Sequence, residues 1–530
     1  MKVLITDKIN ESAGKIIGDV AQCNFLPTMS EDELCKIIGE YDAMMVRSQT
    51  KVTQKIIDAA TKMKIIARAG VGVDNVDLNA ATQKGIIVVN SPDGNTTAAA
   101  EHTLAMMLAM TRNIAKASEV TKSGVWDRSK FTGTEVFGKT LGIIGFGKIG
   151  SHVGKVALAL GMDVVVYDPY STQENVEKAG AKYVKTLDEF WGQCDFITIH
   201  TPKTKETMSL INKNTLNRMK KGVRIINCAR GGIIDEQALK EAIDSGQVGG
   251  CAIDVYEAEP DIQKCPLLDT GMNVTLTPHL GASTKEAQLN VAVDVAEQIR
   301  EVLLGGSARS AVNIPSLKPE KLEPVKDYML IAEYIGQIVQ QLAKNAVSKL
   351  DIKVQGNLAD LDVSPLETAI LKGFFGATTE GVNYVNAGVI AEKRGLDVTV
   401  TKDKAKCAYT GLITVSASNS QECNTVSGAL IAPEVRRIVQ INEYATQIKP
   451  EEHMLLVPHE NKPSMVAKVA TVLGENEINI NNMQVAQKTG TAKDSVSIMI
   501  ISINKEVCDE ITEQIKNISG VVDATCINIK

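Results

Sequence analysis

Short apolar runs alternate with helix-length stretches of mixed polarity through the first ninety residues. Val3–Ile5, Ala43–Val46, Lys64–Ala67 and Ile86–Val89 are such runs. Continuous apolar runs suit strands covered on both faces, so this rhythm predicts a parallel sheet with helical crossovers. The same grammar predicts further strands at Thr140–Ile144, Asp163–Asp168, Asp195–His200, Val223–Cys228, Gly250–Val255 and Val274–Leu276. Between the two blocks, Thr97–Arg112 is rich in Ala, Met and Leu and predicts a buried helix, with Glu101 and His102 in structural positions. The Trp126–Gly133 stretch is irregular, and Ala287–Leu304 predicts a long amphipathic helix.

Beyond residue 304 the pattern changes. Gly305-Gly306-Ser307 and a segment punctuated by Pro315, Pro319 and Pro324 read as loop and linker. Val325–Leu342 has the period of a helix, and Asp351–Gln355, Asp397–Lys402 and Leu412–Ala417 read as strands. Arg436-Arg437 reads as a solvated face. From 453 to 530 the order is strand, helix, strand, strand, helix, strand: Met454–Val457, Ser464–Leu473, Ile478–Ala486, Val496–Ile503, Glu506–Ile518 and Val521–Asn528. That is the ferredoxin-like order.

Composition narrows the classes. A chain of 530 residues is too long for one core and implies about three or four domains. The net charge of −6 argues against a nucleic-acid-binding surface, while leaving room for a local basic pocket. The ten cysteines contain no C-x-x-C pair and no zinc spacing, so no metal site is expected and a reducing compartment is. The apolar start at Met1–Ile5 is too short for a signal-peptide core, and no apolar run is long enough to span a membrane. The expectation is a soluble, cytoplasmic protein.

The most informative stretch runs from Thr140 to Asp168. Gly145, Gly147 and Gly150 fit G-x-G-x-x-G between a predicted strand and the predicted helix Ser151–Leu160. The first glycine permits the tight turn, the second lets backbone approach a pyrophosphate, and the third allows close helix–sheet packing. The helix N-terminus offers unpaired N–H groups to phosphate charge. Asp168, about 20 residues on, ends the next strand, where a carboxylate accepts from ribose hydroxyls and repels a 2′-phosphate. The cofactor expected is therefore NAD rather than NADP.

Other polar groups follow predicted strand ends, where ligands to open parallel sheets bind. Arg47-Ser48 and Arg68-Ala69-Gly70-Val71-Gly72 would suit a carboxylate or phosphate; capping carbonyls or pairing with surface acids would serve equally on position alone. Arg230, Glu259 and His279 form a chemical set. The arginine can bind a carboxylate and polarise a carbonyl, the histidine can take the hydroxyl proton as hydride leaves, and the carboxylate can orient the imidazole. Singly, each also fits a structural role.

Five blocks carry a resemblance: Arg68–Asp77, Gly145–Gly150, Asn227–Gly232, Asp254–Pro260 and Thr277–Ala282. Through them residues 1 to about 315 resemble the D-2-hydroxyacid dehydrogenase family, and the whole chain resembles that family's long form, which adds an intervening domain and a C-terminal ACT domain. The resemblance implies an interleaved α/β architecture of doubly wound parallel sheets. Residues 1–95 and 284–315 would form a substrate domain, 96–283 a Rossmann-type NAD domain, 316–450 an α+β intervening domain and 453–530 the ferredoxin-like ACT domain.

It also implies roles. Arg230 binds substrate, Glu259 supports the histidine and His279 is the acid/base. Cofactor contacts fall on Gly145, Gly147, Lys148, Ile149, Gly150, Asp168, Thr201, Cys228, Asp254, Gly281 and Ala282. Arg47, Ser48, Arg68, Gly72 and Asn95 form the substrate cradle, and Lys130 serves a neighbouring subunit's site. The implied substrate is 3-phosphoglycerate, the implied assembly a homotetramer, and the implied effector L-serine on His459, Asn461 and Asn479. Rival readings are another D-2-hydroxyacid, including 2-oxoglutarate reduced to 2-hydroxyglutarate, and a non-catalytic NAD-sensing protein on the same fold. Two positions depart from the family pattern. Val71 stands where many relatives carry threonine near the nicotinamide, and Ser464 where the ACT motif usually has glycine.

Overall fold

The described residues form four sheets. The structure, a computed structural model, describes residues 1–271, 273–405, 407–488 and 496–530. The first sheet contains β1 (Lys2–Ile5), β2 (Gln22–Phe25), β3 (Ala43–Val46), β4 (Ile65–Arg68) and β5 (Ile87–Val89), in the order β2-β1-β3-β4-β5, all parallel. Its strands bury both faces, as their unbroken apolar runs require. β2 was not legible in the sequence, because as an edge strand it needs no apolar run and is only partly buried.

The second sheet contains β6 (Thr140–Ile144), β7 (Asp163–Tyr167), β8 (Lys182–Tyr183), β9 (Phe196–Ile199), β10 (Val223–Asn227), β11 (Val248–Ile253) and β12 (Val274–Leu276). Their order is β12-β11-β10-β9-β6-β7-β8, again parallel. The chain leaves β6 toward β7 and β8, then returns to β9 on the other side. That reversal opens a crevice at the carboxyl ends of β6 and β9, the place where such sheets hold ligands.

Two helices cross between the sheets. Thr96–Thr111 precedes the second sheet and packs Ala100, Met106, Met107 and Met110 against its Leu141, Ile143 and Ala252. Lys285–Leu303 follows the second sheet but returns to the first, burying Val291, Val295, Ala296 and Ile299 with Val3, Ile5 and Ile65. The two sheets therefore face one another across a cleft that the chain crosses twice.

The third sheet is mixed: β13 (Lys349–Gly356), β14 (Asp397–Asp403), β15 (Gly411–Ser418), β16 (Cys423–Ala432), β17 (Val435–Ile441) and β18 (Tyr444–Ile448), ordered β14-β13-β15-β16-β17-β18. Helices Met329–Leu342 and Ser364–Gly376 cover it and cross at two glycines. A Cβ on Gly336 would lie 2.2 Å from the Ile370 carbonyl oxygen, and one on Gly373 2.0 Å from that of Glu333. The predicted helix from Val325 begins instead as a 3₁₀ turn, Glu323–Tyr328. Arg436 and Arg437 on β17 are half-buried, each with a guanidinium on a nearby carbonyl oxygen, which corrects the expectation of a solvated face.

The fourth sheet, β19 (His453–Glu460), β20 (Ile480–Gln487), β21 (Val496–Ile503) and β22 (Thr525–Asn528), is antiparallel in the ferredoxin-like order β20-β21-β19-β22. Its two faces have different owners. Leu455, Val457, Met499 and Ile501 pack under its own helices with Val469 and Ile515. Met454, Leu456, Ile498, Ile500 and Ile527 instead join the core of the third sheet, beside Ile331, Ile335 and Ile352. Gln337 and Gln341 also donate to the Lys530 and Asn528 carbonyls at 3.2 and 2.9 Å. The two C-terminal sheets thus share one hydrophobic core. Among the described residues, no helix is long and apolar enough to cross a membrane.

Candidate active site

The catalytic candidates meet at the carboxyl edge of the second sheet. Asp254, just after β11, has no solvent exposure. Its Oδ1 accepts from Thr277 Oγ1 at 2.6 Å and from the Leu280 N–H at 2.7 Å, and its Oδ2 accepts from the Gly281 N–H at 2.9 Å. His102 Nε2 lies 3.2 Å from Oδ1. Burial works to raise this carboxyl's pKa, but the bonds from His102, Thr277 and the Leu280 N–H outweigh it and hold the group below its ordinary value. The carboxylate is an anchor for the loop after β12. On that loop His279 takes the left-handed backbone conformation, φ 56°, and its N–H donates to the Asp254 carbonyl at 2.9 Å.

This loop aims the imidazole. His279 Nδ1 and Glu259 Oε2 are 2.7 Å apart, and Glu259 Oε1 accepts from the Tyr256 N–H at 2.6 Å. With a carboxylate on Nδ1–H, the neutral ring presents Nε2 as its basic atom, the arrangement a general base needs. Arg230 follows β10, in a turn clamped by Asn227, whose Oδ1 accepts from the Ala229 N–H and whose Nδ2 donates to the Arg230 carbonyl. Its guanidinium crosses the cleft. Nε lies 3.2 Å from Asp74 Oδ2, and a Cβ on Gly72 would fall 2.0 Å from Nη2. Glycine at 72 leaves the guanidinium this position without displacement.

Arg68, at the end of β4, completes the cationic group. Its Nε is buried with no partner among the described residues. Burial, then the neighbouring Arg230 and Arg47 guanidiniums, push it down to about 10, so it remains charged at neutral pH beside two other cations. Asp7 offsets part of this charge while its oxygens accept from Thr28, Thr50 and the Arg47 N–H, which builds the loop after β3. Arg47, Arg68, Gly72 and Arg230 are therefore brought together, with Asp74 as a nearby exposed carboxylate. Ser48 lies on the exposed part of the Arg47 loop, and Asn95 holds a buried Oδ1 without a partner at the start of the Thr96–Thr111 helix.

The glycine loop has the shape of a dinucleotide cradle. Gly145 has φ +92° and lies against the His200 carbonyl, and a Cβ on Gly150 would be 2.1 Å from the Gly145 oxygen. Space over Gly147 is open, and this residue starts the Lys148–Ala159 helix without a side-chain cap, so the first N–H groups point outward unmasked. Thr201 Oγ1 is buried and without a partner at the same edge. Asp168 is 8% exposed and accepts from the Phe146 and Tyr170 N–H groups, both at 2.7 Å, leaving lone pairs on each oxygen for hydroxyl donors. Ile149 packs against the core under the glycine loop, and Gly281, followed by Ala282, is held by its N–H on Asp254. Burial and then Asp254 push the Cys228 thiol up to about 12, so it is a packing group rather than a nucleophile.

Three expected contacts look different in space. Asp254 has its oxygens engaged within the protein, so it acts on a ligand through the loop it holds. Lys148 is ion-paired with Asp93 on the other side of the cleft. Lys130 is exposed and paired with Asp127 at 3.0 Å, next to Trp126, which is 84% exposed. Asp74, and the grip of His102 on Asp254, were missed in the sequence. Asp74 lay inside a recognised block, but nothing in one dimension distinguishes it from a surface acid.

In the fourth sheet, His459 is 2% exposed, with Nδ1 2.8 Å from the Glu460 carbonyl and Nε2 without a partner among the described residues. Asn461 follows it, but Asn479 does not join them. His459 pairs with Ser497 at one end of β21, and Ile480, next to Asn479, pairs with Ile503 at the other. Six strand residues at about 3.3 Å each separate the two ends. Ser464 has φ 72°, a left-handed conformation that favours glycine at this position.

Comparison with known proteins agrees with this geometry. Residues 104–281 match the family model for the NAD binding domain of D-isomer specific 2-hydroxyacid dehydrogenases, and 324–442 match that of the D-3-phosphoglycerate dehydrogenase intervening domain. A D-3-phosphoglycerate dehydrogenase of Synechocystis is 47% identical over 100% of this chain and 95% of its own length. One from Methanocaldococcus jannaschii is 40% identical, with 100% of both chains covered. Among solved structures, D-lactate dehydrogenase from Aquifex aeolicus complexed with NAD and lactic acid is similar over 57% of this chain and 96% of its own, at 28% identity and TM-score 0.51. A glycine-loop cradle, a histidine–glutamate pair and a cross-cleft arginine thus occur on a chain that matches such relatives end to end, and the chain belongs to the D-3-phosphoglycerate dehydrogenase family.

Proposed function

We propose that the chain oxidises D-3-phosphoglycerate to 3-phosphohydroxypyruvate with NAD, the opening step of the phosphorylated route to serine. The observation that carries the substrate is the group Arg47, Arg68 and Arg230, in which Arg68 is half-buried and charged and its buried Nε has no partner among the described residues. A ligand with a carboxylate at one end and a phosphate at the other would supply the missing negative charge at two points. NAD, when bound, accepts the hydride. The protein's own part is to hold the substrate carboxylate and polarise its C2 oxygen with Arg230, and to receive the hydroxyl proton on His279 Nε2. Glu259 steadies the imidazolium that results. Closure of the two sheets over the cleft would exclude water during the step.

The regulatory half of the proposal is that L-serine binds at His459, Asn461 and Asn479. The buried, unpartnered His459 Nε2 supports a polar ligand there. Because Asn479 lies at the opposite end of β21, a ligand touching all three needs a second copy of the fourth sheet, so the reading requires an oligomer, a homotetramer by resemblance to the family. The exposed Trp126 and Phe137 fit a second contact between copies in the nucleotide domain.

The test is initial NADH formation from D-3-phosphoglycerate and NAD, with and without millimolar L-serine. Turnover suppressed by serine supports both halves. Turnover indifferent to serine removes the regulatory half. No turnover in either direction removes the substrate and returns the choice to another 2-hydroxyacid or to an NAD-sensing protein.

A further inference from the structure

We infer that Asp74 is a stand-in for the substrate carboxylate: in the ligand-free protein it occupies Arg230, and together with Asp93 on Lys148 it latches the two domains across the cleft. This rests on the reading of the substrate as an anionic 2-hydroxyacid held by Arg230. Both pairs join a carboxylate of the first sheet's loops to a cation of the second sheet's ligand loops. Neither is built into a core. The Asp74 side chain is 72% exposed, and both members of the Lys148–Asp93 pair are mostly exposed. Exposed pairs of this kind are weak, so they hold a conformation without blocking a ligand that offers better contacts.

The chemistry of exchange is symmetrical. Asp74 presents to Arg230 Nε the same group that a 2-hydroxyacid presents, a carboxylate oxygen at hydrogen-bond distance. Asp7, the other carboxylate near Arg68, is fixed by four hydrogen bonds, whereas Asp74 can swing into solvent once displaced. Removing Asp74 from the cleft also removes the charge that tempers Arg68, so a bound dianion meets a more positive site than the empty one. Lys148, the second latch, lies in the first turn of the helix below the glycine loop, where a pyrophosphate would compete with Asp93 for its ammonium.

Two measurements on the full-length protein decide it. The first is steady-state kinetics of Asp74→Asn and Asp74→Glu on D-3-phosphoglycerate. Asp74→Asn is expected to lower KM about two- to fivefold without a matching loss of kcat, and Asp74→Glu, which restores the competing charge, to return KM to the wild-type value. The second is small-angle scattering of the ligand-free Asp74→Asn/Asp93→Asn double variant, expected to show a larger radius of gyration than the wild type at equal oligomeric state. A raised KM with reduced kcat in Asp74→Asn would mean that Asp74 orients Arg230 for catalysis and would overturn the stand-in role. An unchanged radius would overturn the latch. The scattering arm uses no substrate, so it decides the latch even if D-3-phosphoglycerate is not turned over.

Discussion

His279 owes its position to a backbone that side-chain-bearing residues seldom adopt, and that backbone is held by Asp254, 25 residues earlier in sequence. Replacing His279 by Ala is expected to lower turnover about 10²- to 10⁴-fold while NAD affinity, measured by calorimetry, keeps its wild-type value; full activity would sink the acid/base assignment. Asp254→Asn turns one carboxylate oxygen into an amide N–H₂ that must face either the Gly281 N–H or the Leu280 N–H with the Thr277 hydroxyl, and is expected to cost about 3 kcal/mol in urea unfolding at pH 7. The sign of its pH dependence follows from the lowered native pKa. The unfolded chain binds the proton first, so the contribution is complete above about pH 4 and is lost as pH falls through the native value. Below about pH 4 the wild type should therefore lose stability more steeply than Asp254→Asn. Gly72→Ala separates site from fold. Its methyl meets the movable end of Arg230, so kcat/KM should drop about 10- to 100-fold with the melting temperature unchanged. A large fall in melting temperature would show instead that the loop itself needs glycine.

Elements in this protein are set by where two backbones approach. The helices Met329–Leu342 and Ser364–Gly376 cross through Gly336 and Gly373, where an added Cβ would meet main-chain oxygens that cannot swing aside. Gly373→Ala is expected to destabilise the third sheet and its helices by about 1–3 kcal/mol in denaturant unfolding; a neutral result would mean that the helices separate freely. Ser464, at the start of the Met465–Glu475 helix, presents the opposite case. It carries a side chain in the left-handed region, so Ser464→Gly should stabilise the full chain by up to about 1 kcal/mol in the same assay, although Gly also loosens the unfolded chain. β13 and β15 were legible from alternation and β21 from its apolar run. β16 to β18 were not, since register shifts on β16 and β17 and the Arg436-Arg437 pair break the alternation.

At the scale of the molecule, the third and fourth sheets share a core that their separate sequence patterns concealed. Ile500 is fully buried in that core. Ile500→Ala should speed hydrogen exchange in β13 and β15 as well as in β19 to β22, with a loss of about 2–5 kcal/mol; an effect confined to β19–β22 would show two independent units. What the sequence by itself determined was everything local or periodic. The parallel α/β grammar, the glycine cradle, the ferredoxin-like order and the strand ends that carry Arg230, Glu259 and His279 all follow from residues within reach of one another along the chain. Only the tertiary structure decided which distant groups meet. Asp74 faces Arg230, His102 grips Asp254, Gly72 makes way for a guanidinium, and Ile500 shares a core with Ile335, because each pairing depends on how whole sheets are set against one another rather than on spacing in sequence. Side-chain alternation along β19 and β21 marks two apolar faces but cannot say what covers each; that is settled by the helices and the neighbouring sheet that exclude water from them.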